Sequence, residues 1–321
     1  MRVLVVLNPR AGRGRGGVLA ETLASAFARH GVTAELARPG TRDAAERAVA
    51  DLDPAGVDAV VAAGGDGTIH AVVNGLMRHA AERRPALGVL PVGTGNAFAR
   101  ELGLAGGDWS AAVDLVAHGS ARPVDVARVR DADGETFHFL NVLGAGFVMD
   151  AARAANRFRF LGPASYTAGA LAAVARLRCR PFRVVLDDVE VAQDCLFVEV
   201  CNSRYTGTRF LMAPDASVED GLLDVVRVRS VTRRRLLRLF PTIFEGSHTA
   251  APEVTVERAR RVRLEAAPGE PVLADGEVRG RLPLDIECLA GALRVIFPSE
   301  GPRGEARRRA APVVPERRPD P

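Results

Sequence analysis

Short, unbroken apolar runs alternate with amphipathic stretches through the first third of the chain. VLVVLNP at 3–9, VDAVVAA at 57–63 and ALGVLPVG at 86–93 are continuous runs, with a weaker one at 32–37. Strands buried on both faces read this way, as in a parallel sheet covered by helices. Between them, 18–30, 42–50, 69–80 and 108–118 carry apolar residues at helical spacing. Thr41 is the expected N-cap of the second of these helices. Beyond residue 118 the period shortens. Strand candidates follow at 122–130, 136–143, 182–188, 191–201, 222–229, 254–258, 261–266, 271–275, 282–288 and 291–297. Many alternate apolar and polar residues, as strands of an antiparallel sheet do. Helical stretches near 147–158 and 163–177 interrupt them. The expected fold is α/β in two domains: a parallel α/β domain over 1–125 and a mainly antiparallel β domain over 126–298, whose last strand returns to the first. Residues 299–321, rich in Pro, Arg and Glu, read as a disordered tail.

Composition narrows the chemistry. Apolar residues make up 47% of the 321, which argues against global disorder. No run of 18 uncharged apolar residues occurs, so no transmembrane helix is expected. The N-terminus enters a strand and lacks the apolar core of a signal peptide, and a cytoplasmic protein is expected. Lysine is absent, so all 43 basic residues are arginine and no step can use a lysine amine. One Trp and two Tyr cannot build a stacking platform, and no nucleic-acid partner is expected. The net charge of +4 fits an anionic membrane surface better. Cys179, Cys195, Cys201 and Cys288 lack metal-ligand spacing and read as buried free thiols. The six histidines form no ligand cluster along the sequence, which argues against zinc.

Three glycine loops follow three of the first-domain strands: NPRAGRGRGG at 8–17, GGDGT at 64–68 and PVGTGNAFAR at 91–100. In an open parallel sheet the strands' carboxyl ends share one edge, where ligands bind. Asn8, Gly12, Gly65, Thr68, Thr94, Gly95 and Asn96 offer amides, hydroxyls and carboxamides that can cradle phosphates without a lysine. Arg13 and Arg15 are candidates to pair with phosphate oxygens. The dinucleotide pattern GxGxxG is absent, since 12–17 reads GRGRGG. Asp66 is the one charge in the middle loop and stands at a helix N-terminus.

Two further stretches carry paired carboxylates. Asp275 and Glu277 lie in the turn ADGE, where they can serve as base and orienter or simply form a hairpin turn. Asp220 and Asp224 bracket the turn of EDGLLDVV, a spacing that suits a hard cation or a plain loop-to-strand transition.

These motifs occur in an order that resembles the bacterial diacylglycerol kinase and related lipid kinase family, which includes sphingosine and ceramide kinases. The specific markers are NPRAGRG at 8–14, GGDGTIHAVVNGL at 64–76 and PVGTGNAFAR at 91–100. NVLGAGFVMDA at 141–151, MAPDASVEDGLLDVV at 212–226 and LADGE at 273–277 add weaker support, and the resemblance spans residues 1–297. It implies a phosphofructokinase-like or NAD-kinase-like first domain that binds ATP, a β-sandwich second domain, and an acceptor lipid in the cleft between them. ATP would be held by Asn8, Pro9, Gly12, Arg13 and Gly14, by Gly64, Gly65, Asp66, Gly67 and Thr68, and by Gly93, Thr94, Gly95 and Asn96. Asp275, with Glu277 beside it, is implied as the base for the lipid hydroxyl, and Asp66 as organiser of the nucleotide–Mg²⁺ site or as an alternative base. Asp220, Leu222 and Asp224 are implied ligands of a structural Mg²⁺, and Asp150 an acceptor contact.

One departure matters. The family's third loop commonly reads Asn-Asp-Phe-Ala-Arg, and here Ala97 replaces that Asp. This weakens the expectation of diacylglycerol as acceptor and brings in a sphingoid base, ceramide or another long-chain alcohol. The apolar stretch 139–177 is the expected wall of the acceptor pocket. The resemblance further implies a lipid substrate met at the inner membrane surface and admits a homodimer. An NAD kinase and a non-catalytic lipid-binding relative are the rival readings.

Overall fold

The structure is a computed structural model that describes residues 1–11, 15–93, 95–104, 108–207 and 209–299. Gly12, Arg13, Gly14, Thr94 and all of the expected tail beyond Ser299 lie outside the described residues.

The N-terminal half runs β1 (Arg2–Leu7), α1 (Arg15–Ala28), β2 (Thr33–Ala37), α2 (Arg42–Ala50), β3 (Ala59–Gly64), α3 (Asp66–Leu76), β4 (Ala86–Pro91), α4 (Ala97–Glu101) and α5 (Trp109–His118). The strands are parallel in the order β2-β1-β3-β4. Every residue of β3 and β4 is buried, which is why they read as unbroken apolar runs. Thr41 caps α2, its hydroxyl accepting from the Ala44 amide at 3.2 Å. α3 begins three residues before the expected start. Gly65 leaves the strand in an extended conformation, and the Thr68 and Ile69 amides both donate to its carbonyl. Asp66 therefore sits in the first helical turn, where a carboxylate meets the positive end of the helix. Residues Thr68–Leu76 are all buried, because α3 lies between its own sheet, α2 and the C-terminal half.

The C-terminal half runs β5 (Ser120–Arg130), β6 (Thr136–Phe139), β7 (Val142–Gly146), α6 (Phe147–Arg157), α7 (Ser165–Val174), β8 (Arg180–Leu186), β9 (Val189–Cys201), β10 (Tyr205–Thr206), β11 (Phe210–Leu211), β12 (Leu223–Arg229), α8 (Arg233–Leu239), β13 (Val254–Ala259), β14 (Arg261–Glu265), β15 (Pro271–Ala274), β16 (Glu277–Arg281) and β17 (Leu284–Phe297). Its pairings are antiparallel, with β9 joined to β7, β8 and β12, and β17 joined to β5 and β14. At Val295↔Leu87, β17 also pairs in parallel with β4, so both halves share one sheet.

Two strand expectations change. The single strand at 136–143 is two, because the amides of Leu140, Asn141 and Val142 turn to a side chain in place of a ladder. The two strands at 282–288 and 291–297 are one, with a register shift between Leu289 and Leu293. At that bulge Gly291 takes φ +59° and gives its amide to Asp125 Oδ1 at 2.7 Å. Helices α4 and α8, strand β16 and the small hairpin β10–β11 lie outside the elements that the sequence predicts. Cys179 is exposed in the segment leading into β8, while the other three cysteines are buried as expected.

Three apolar clusters hold the chain together. One packs Leu7, Leu23, Phe27 and Phe98 around the parallel sheet. A second fills the sandwich with Phe137, Phe139 and Phe182. A third gathers Val142, Phe147, Phe197, Met212, Leu236 and Ile243 beneath α6–α8. Each such side chain contributes about 1.5–3 kcal/mol by leaving water.

Candidate active site

Because β1, β3 and β4 are parallel, their carboxyl ends bring the described parts of three glycine loops to one edge. The loops touch backbone to backbone: a Cβ on Gly93 would lie 2.2 Å from Gly65 Cα, so a side chain there would force them apart. Asn96 takes φ +53° and donates its Nδ2 to the Gly93 carbonyl at 2.9 Å, fixing the third loop. In the first loop, Asn8 Nδ2 reaches Thr68 Oγ1 at 3.4 Å, and Asn8 Oδ1 accepts from the Arg10 amide across Pro9. A Cβ on Gly64 would strike Thr68 Oγ1, and one on Gly95 would lie 2.7 Å from Asp66 Oδ2. The N-cap of α3, Gly65, makes no side-chain cap. That helix end is thus a bare, amide-rich surface suited to an anion.

Asp275 enters this edge from the other half of the chain. It stands in the β15–β16 turn at φ +49° and is buried. Its Oδ1 accepts from the Asn141 amide at 2.8 Å and the Val142 amide at 3.2 Å. Its Oδ2 accepts from the Leu140 amide at 3.0 Å and lies 3.1 Å from His70 Nδ1. Arg279 Nη1 sits 3.3 Å from His70 Nε2. Since arginine only donates, Nε2 accepts and Nδ1–H points at Asp275. Four hydrogen bonds fill the four lone-pair directions of this carboxylate. Asn74, one turn beyond His70, donates to the His70 and His138 carbonyls and accepts from the His138 amide, pinning α3 to β6.

Glu277 lies over the same helix end. Its Oε2 pairs with Arg42 at the start of α2, and a Cβ on Gly67 would come within 2.5 Å of Oε1. Burial raises its carboxyl above the ordinary glutamate range, with Arg42 opposing. Asp66 keeps part of its surface in the cleft, yet loss of water, with the charge of Asp275 adding to it, raises its carboxyl to about 7. The Phe98 and Ala97 amides donate to Asp66 and oppose that rise. Ala97 therefore serves the site through its backbone.

A cavity of about 290 Å³ opens onto Asp66, Asp275 and Glu277. Its far wall is apolar, built from Phe147, Val148, Phe197, Phe210, Leu236 and Ile243. Residues of the expected pocket stretch 139–177 supply one side of that wall; β9, β11, α8 and the short helix Phe240–Phe244 that follows it supply the other. Asp150 is not among the lining residues. Its carboxylate pairs with Arg180 at 3.1 Å, and Ala151 and Ala152 face the cavity from that helix.

The DGLLD turn lies outside the cavity lining. Asp220 Oδ1 accepts from the Leu222 amide at 3.1 Å. Asp224 is buried in β12, with Oδ1 3.2 Å from Arg258 Nε and Oδ2 lacking a hydrogen-bond partner among the described residues. Burial raises both carboxyls. Elsewhere, folding brings His30, Asp114 and His118 together on the surface, a grouping the sequence spacing hid; the His118–Asp114 hydrogen bond of 2.9 Å accounts for it.

Several site residues escaped the sequence reading: His70, Asn74, Arg42, Arg279 and Glu199. A signal existed for three of them. His70 and Asn74 are polar positions four apart in an otherwise apolar helix, and Glu199 is the lone charge in the run LFVEVC at 196–201.

Residues 2–129 match the diacylglycerol kinase catalytic domain, and residues 141–297 match the YegS C-terminal NAD kinase beta sandwich-like domain. The chain belongs to the bacterial diacylglycerol and lipid kinase family. A diacylglycerol kinase of Mycobacterium tuberculosis is 36% identical over 302 residues, covering 94% of this chain and 96% of that protein. A diacylglycerol kinase of Bacillus subtilis is 31% identical over 76% of this chain and 78% of its own length. Among solved structures, a diacylglycerol kinase candidate from Bacillus anthracis str. Sterne aligns with a TM-score of 0.78 at 25% identity, covering 94% of this chain and 96% of that one. Both matched segments line the cavity, and membership of the family implies dependence on ATP and Mg²⁺. Among the described residues no helix is long and apolar enough to cross a membrane.

Proposed function

We propose that this protein is an ATP-dependent lipid kinase that transfers the γ-phosphoryl group of ATP to the free hydroxyl of diacylglycerol, giving phosphatidic acid. The observation that carries the reading is the apolar cavity ending on three carboxylates at the glycine-loop edge. An acyl chain fits its far wall, and a water-soluble acceptor would leave that wall unsatisfied. The family and its diacylglycerol kinase relatives support the same activity.

The loop edge suits a triphosphate. Backbone is bare where Gly93 meets Gly65, and the first-turn amides of α3 face outward without a side-chain cap. Asp66, a carboxylate beside that edge and facing the cavity, is suited to hold the Mg²⁺ that accompanies ATP. When bound, Mg·ATP supplies the phosphoryl group and neutralises charge on its oxygens. Asn8, Pro9, Gly64, Gly67, Thr68, Gly95 and Asn96 shape the edge around it. Asp220, Leu222 and Asp224 are proposed to hold a structural Mg²⁺, on the strength of the buried Asp224 Oδ2, which has no hydrogen-bond partner among the described residues.

The base is assigned to Glu277. Asp275 has every lone pair engaged, so it positions the turn and has no oxygen free for a hydroxyl. Glu277 follows it by two residues and places Oε1 between the loop edge and the cavity. The lipid hydroxyl gives its proton to Glu277 as its oxygen forms the bond to phosphorus, and the bond from phosphorus to ADP breaks.

Exposed Phe160, Leu161, Leu171, Leu237 and Phe244 cluster on α7, α8 and their neighbouring short helices, with exposed Arg153, Arg157, Arg234 and Arg238 around them. The same elements turn Ala170, Leu236, Phe240 and Ile243 into the cavity. This face is proposed to rest on an anionic membrane, delivering lipid to the cavity from outside. The activity is tested by incubating the protein with labelled ATP, Mg²⁺ and mixed micelles of single lipids. Phosphatidic acid is the expected product; no phosphorylated product from diacylglycerols, sphingoid bases or ceramides overturns the reading.

A further inference from the structure

The cavity holds one acidic group that phosphoryl transfer does not use. Glu199 projects from β9 into the wall, where its strand neighbours are Gly144 on β7 and Val226 on β12. Gly144 makes the room. A Cβ there would come within 3.2 Å of Glu199 Cγ and 3.4 Å of Oε1. Glu199 is 4% exposed, and its Oε2 has no hydrogen-bond partner among the described residues. The residues two away on the same strand face, Phe197 and Cys201, belong to the apolar cluster that forms the wall. An unpaired carboxyl in such surroundings is unfavourable unless something that enters the cavity completes its hydrogen bonds.

We propose that Glu199 is a binding residue for the acceptor lipid, its carboxyl hydrogen-bonded to an ester carbonyl of an acyl chain. The argument rests on the lipid-kinase reading above and specifies its ligand. The complement of Glu199 must be polar, must lie along an otherwise apolar path, and must be set back from the phosphorylated hydroxyl. An acyl ester is such a group. Burial alone pushes the Glu199 carboxyl up to about 8, with no cation among the causes. At neutral pH the group is therefore an acid that can donate O–H to a carbonyl oxygen. A lipid amine would instead demand the ionised carboxylate, which burial disfavours at Glu199. The site thus favours neutral glycerol esters over sphingoid bases, and it narrows the acceptor that Ala97 had left open.

The test compares ester and ether acceptors. Wild-type protein is assayed on a 1,2-diacylglycerol and on the matching 1,2-dialkylglycerol, which lacks the carbonyls but keeps the hydroxyl. If neither these nor any sphingoid base or ceramide is phosphorylated, the lipid-kinase reading itself fails. Given activity, the wild type is expected to show a KM about tenfold lower for the ester, the scale of one buried hydrogen bond. Glu199→Leu is expected to raise the ester KM by about that factor with kcat little changed, leaving ester and ether alike. Glu199→Gln keeps a donor and is expected to restore most of the ester preference. Wild-type protein indifferent to the carbonyl, a preference intact in Glu199→Leu, or a preferred amine-bearing acceptor lost in Glu199→Gln would each overturn the proposal.

Discussion

His70 Nδ1 lies 3.1 Å from Asp275 Oδ2, tying the helix that opens at Asp66 to a turn made more than two hundred residues later. Both groups are buried. The contact sets the spacing between the glycine-loop edge and the carboxylates of the β15–β16 turn.

Asp275→Asn places an amide NH₂ against backbone amides that now donate to a carboxylate. Two donors face each other, so stability is expected to fall by about 1–3 kcal/mol and turnover to fall with it. Glu277→Gln leaves that scaffold intact. It is expected to lower kcat by about 10²–10⁴-fold, the cost of a lost acid–base group, with an unchanged melting temperature. Turnover and thermal unfolding measured on both variants decide the assignment. Full activity in Glu277→Gln would remove it as the base.

Gly93→Ala tests the loop edge. The added methyl would sit 2.2 Å from Gly65 Cα, and backbone cannot swing aside as a long side chain can. The loops must part, and the KM for ATP is expected to rise at least about tenfold while lipid binding to the isolated cavity persists. Equilibrium binding of a fluorescent ATP analogue reads the first effect directly.

Two desolvated carboxyls contribute stability with a pH dependence opposite to that of a salt-bridged carboxylate. Asp66 and Glu199 have folded-state pKa values raised to about 7 and about 8. Between their ordinary values and these, the folded state binds more protons than the unfolded one, so stability falls as pH rises. The contribution is complete below pH 4 and lost as pH passes 7 to 8. Glu199→Gln removes one source, and its gain over wild type at pH 8.5 is expected to reach a few kcal/mol at most and to vanish near pH 4. Chemical denaturation at several pH values gives the slope. A Glu199→Gln stability curve that runs parallel to the wild type from pH 4 to 8.5 would contradict the assignment.

The membrane face is separable from the chemistry. Phe160→Ser with Leu161→Ser is expected to reduce cosedimentation with anionic vesicles several-fold and to raise the apparent KM for long-chain lipid presented in them. Activity on a short-chain diacylglycerol in solution is expected to stay near wild type. Equal loss on both substrates would place these residues in the cavity's own structure.

Much of this was legible in the chain. Strands buried on both faces announce themselves as apolar runs, and glycine loops after them mark the ligand edge. The failures have local causes. The break between β6 and β7 is invisible because Phe139 to Val142 are apolar or neutral; the interruption exists only because Asp275, far away, attracts their amides. Helix α8 reads RRRLLRL, where arginine obscures the apolar spacing. Asp150 sat in a promising sequence and found Arg180 instead. Glu199 was visible as a lone charge, but only the shape of the wall shows that its Oε2 has no hydrogen-bond partner among the described residues.

The pairing of β17 with β4 has a consequence for how the protein is made. β4 lies at the rim of the parallel sheet until a strand from the end of the chain arrives beside it. A growing chain that has completed the parallel sheet therefore carries an open, apolar strand edge until β17 has been made. The two halves are not modules that could be shuffled or expressed apart without exposing that edge. β17 thus closes both halves at once, and each half is expected to aggregate when made without it.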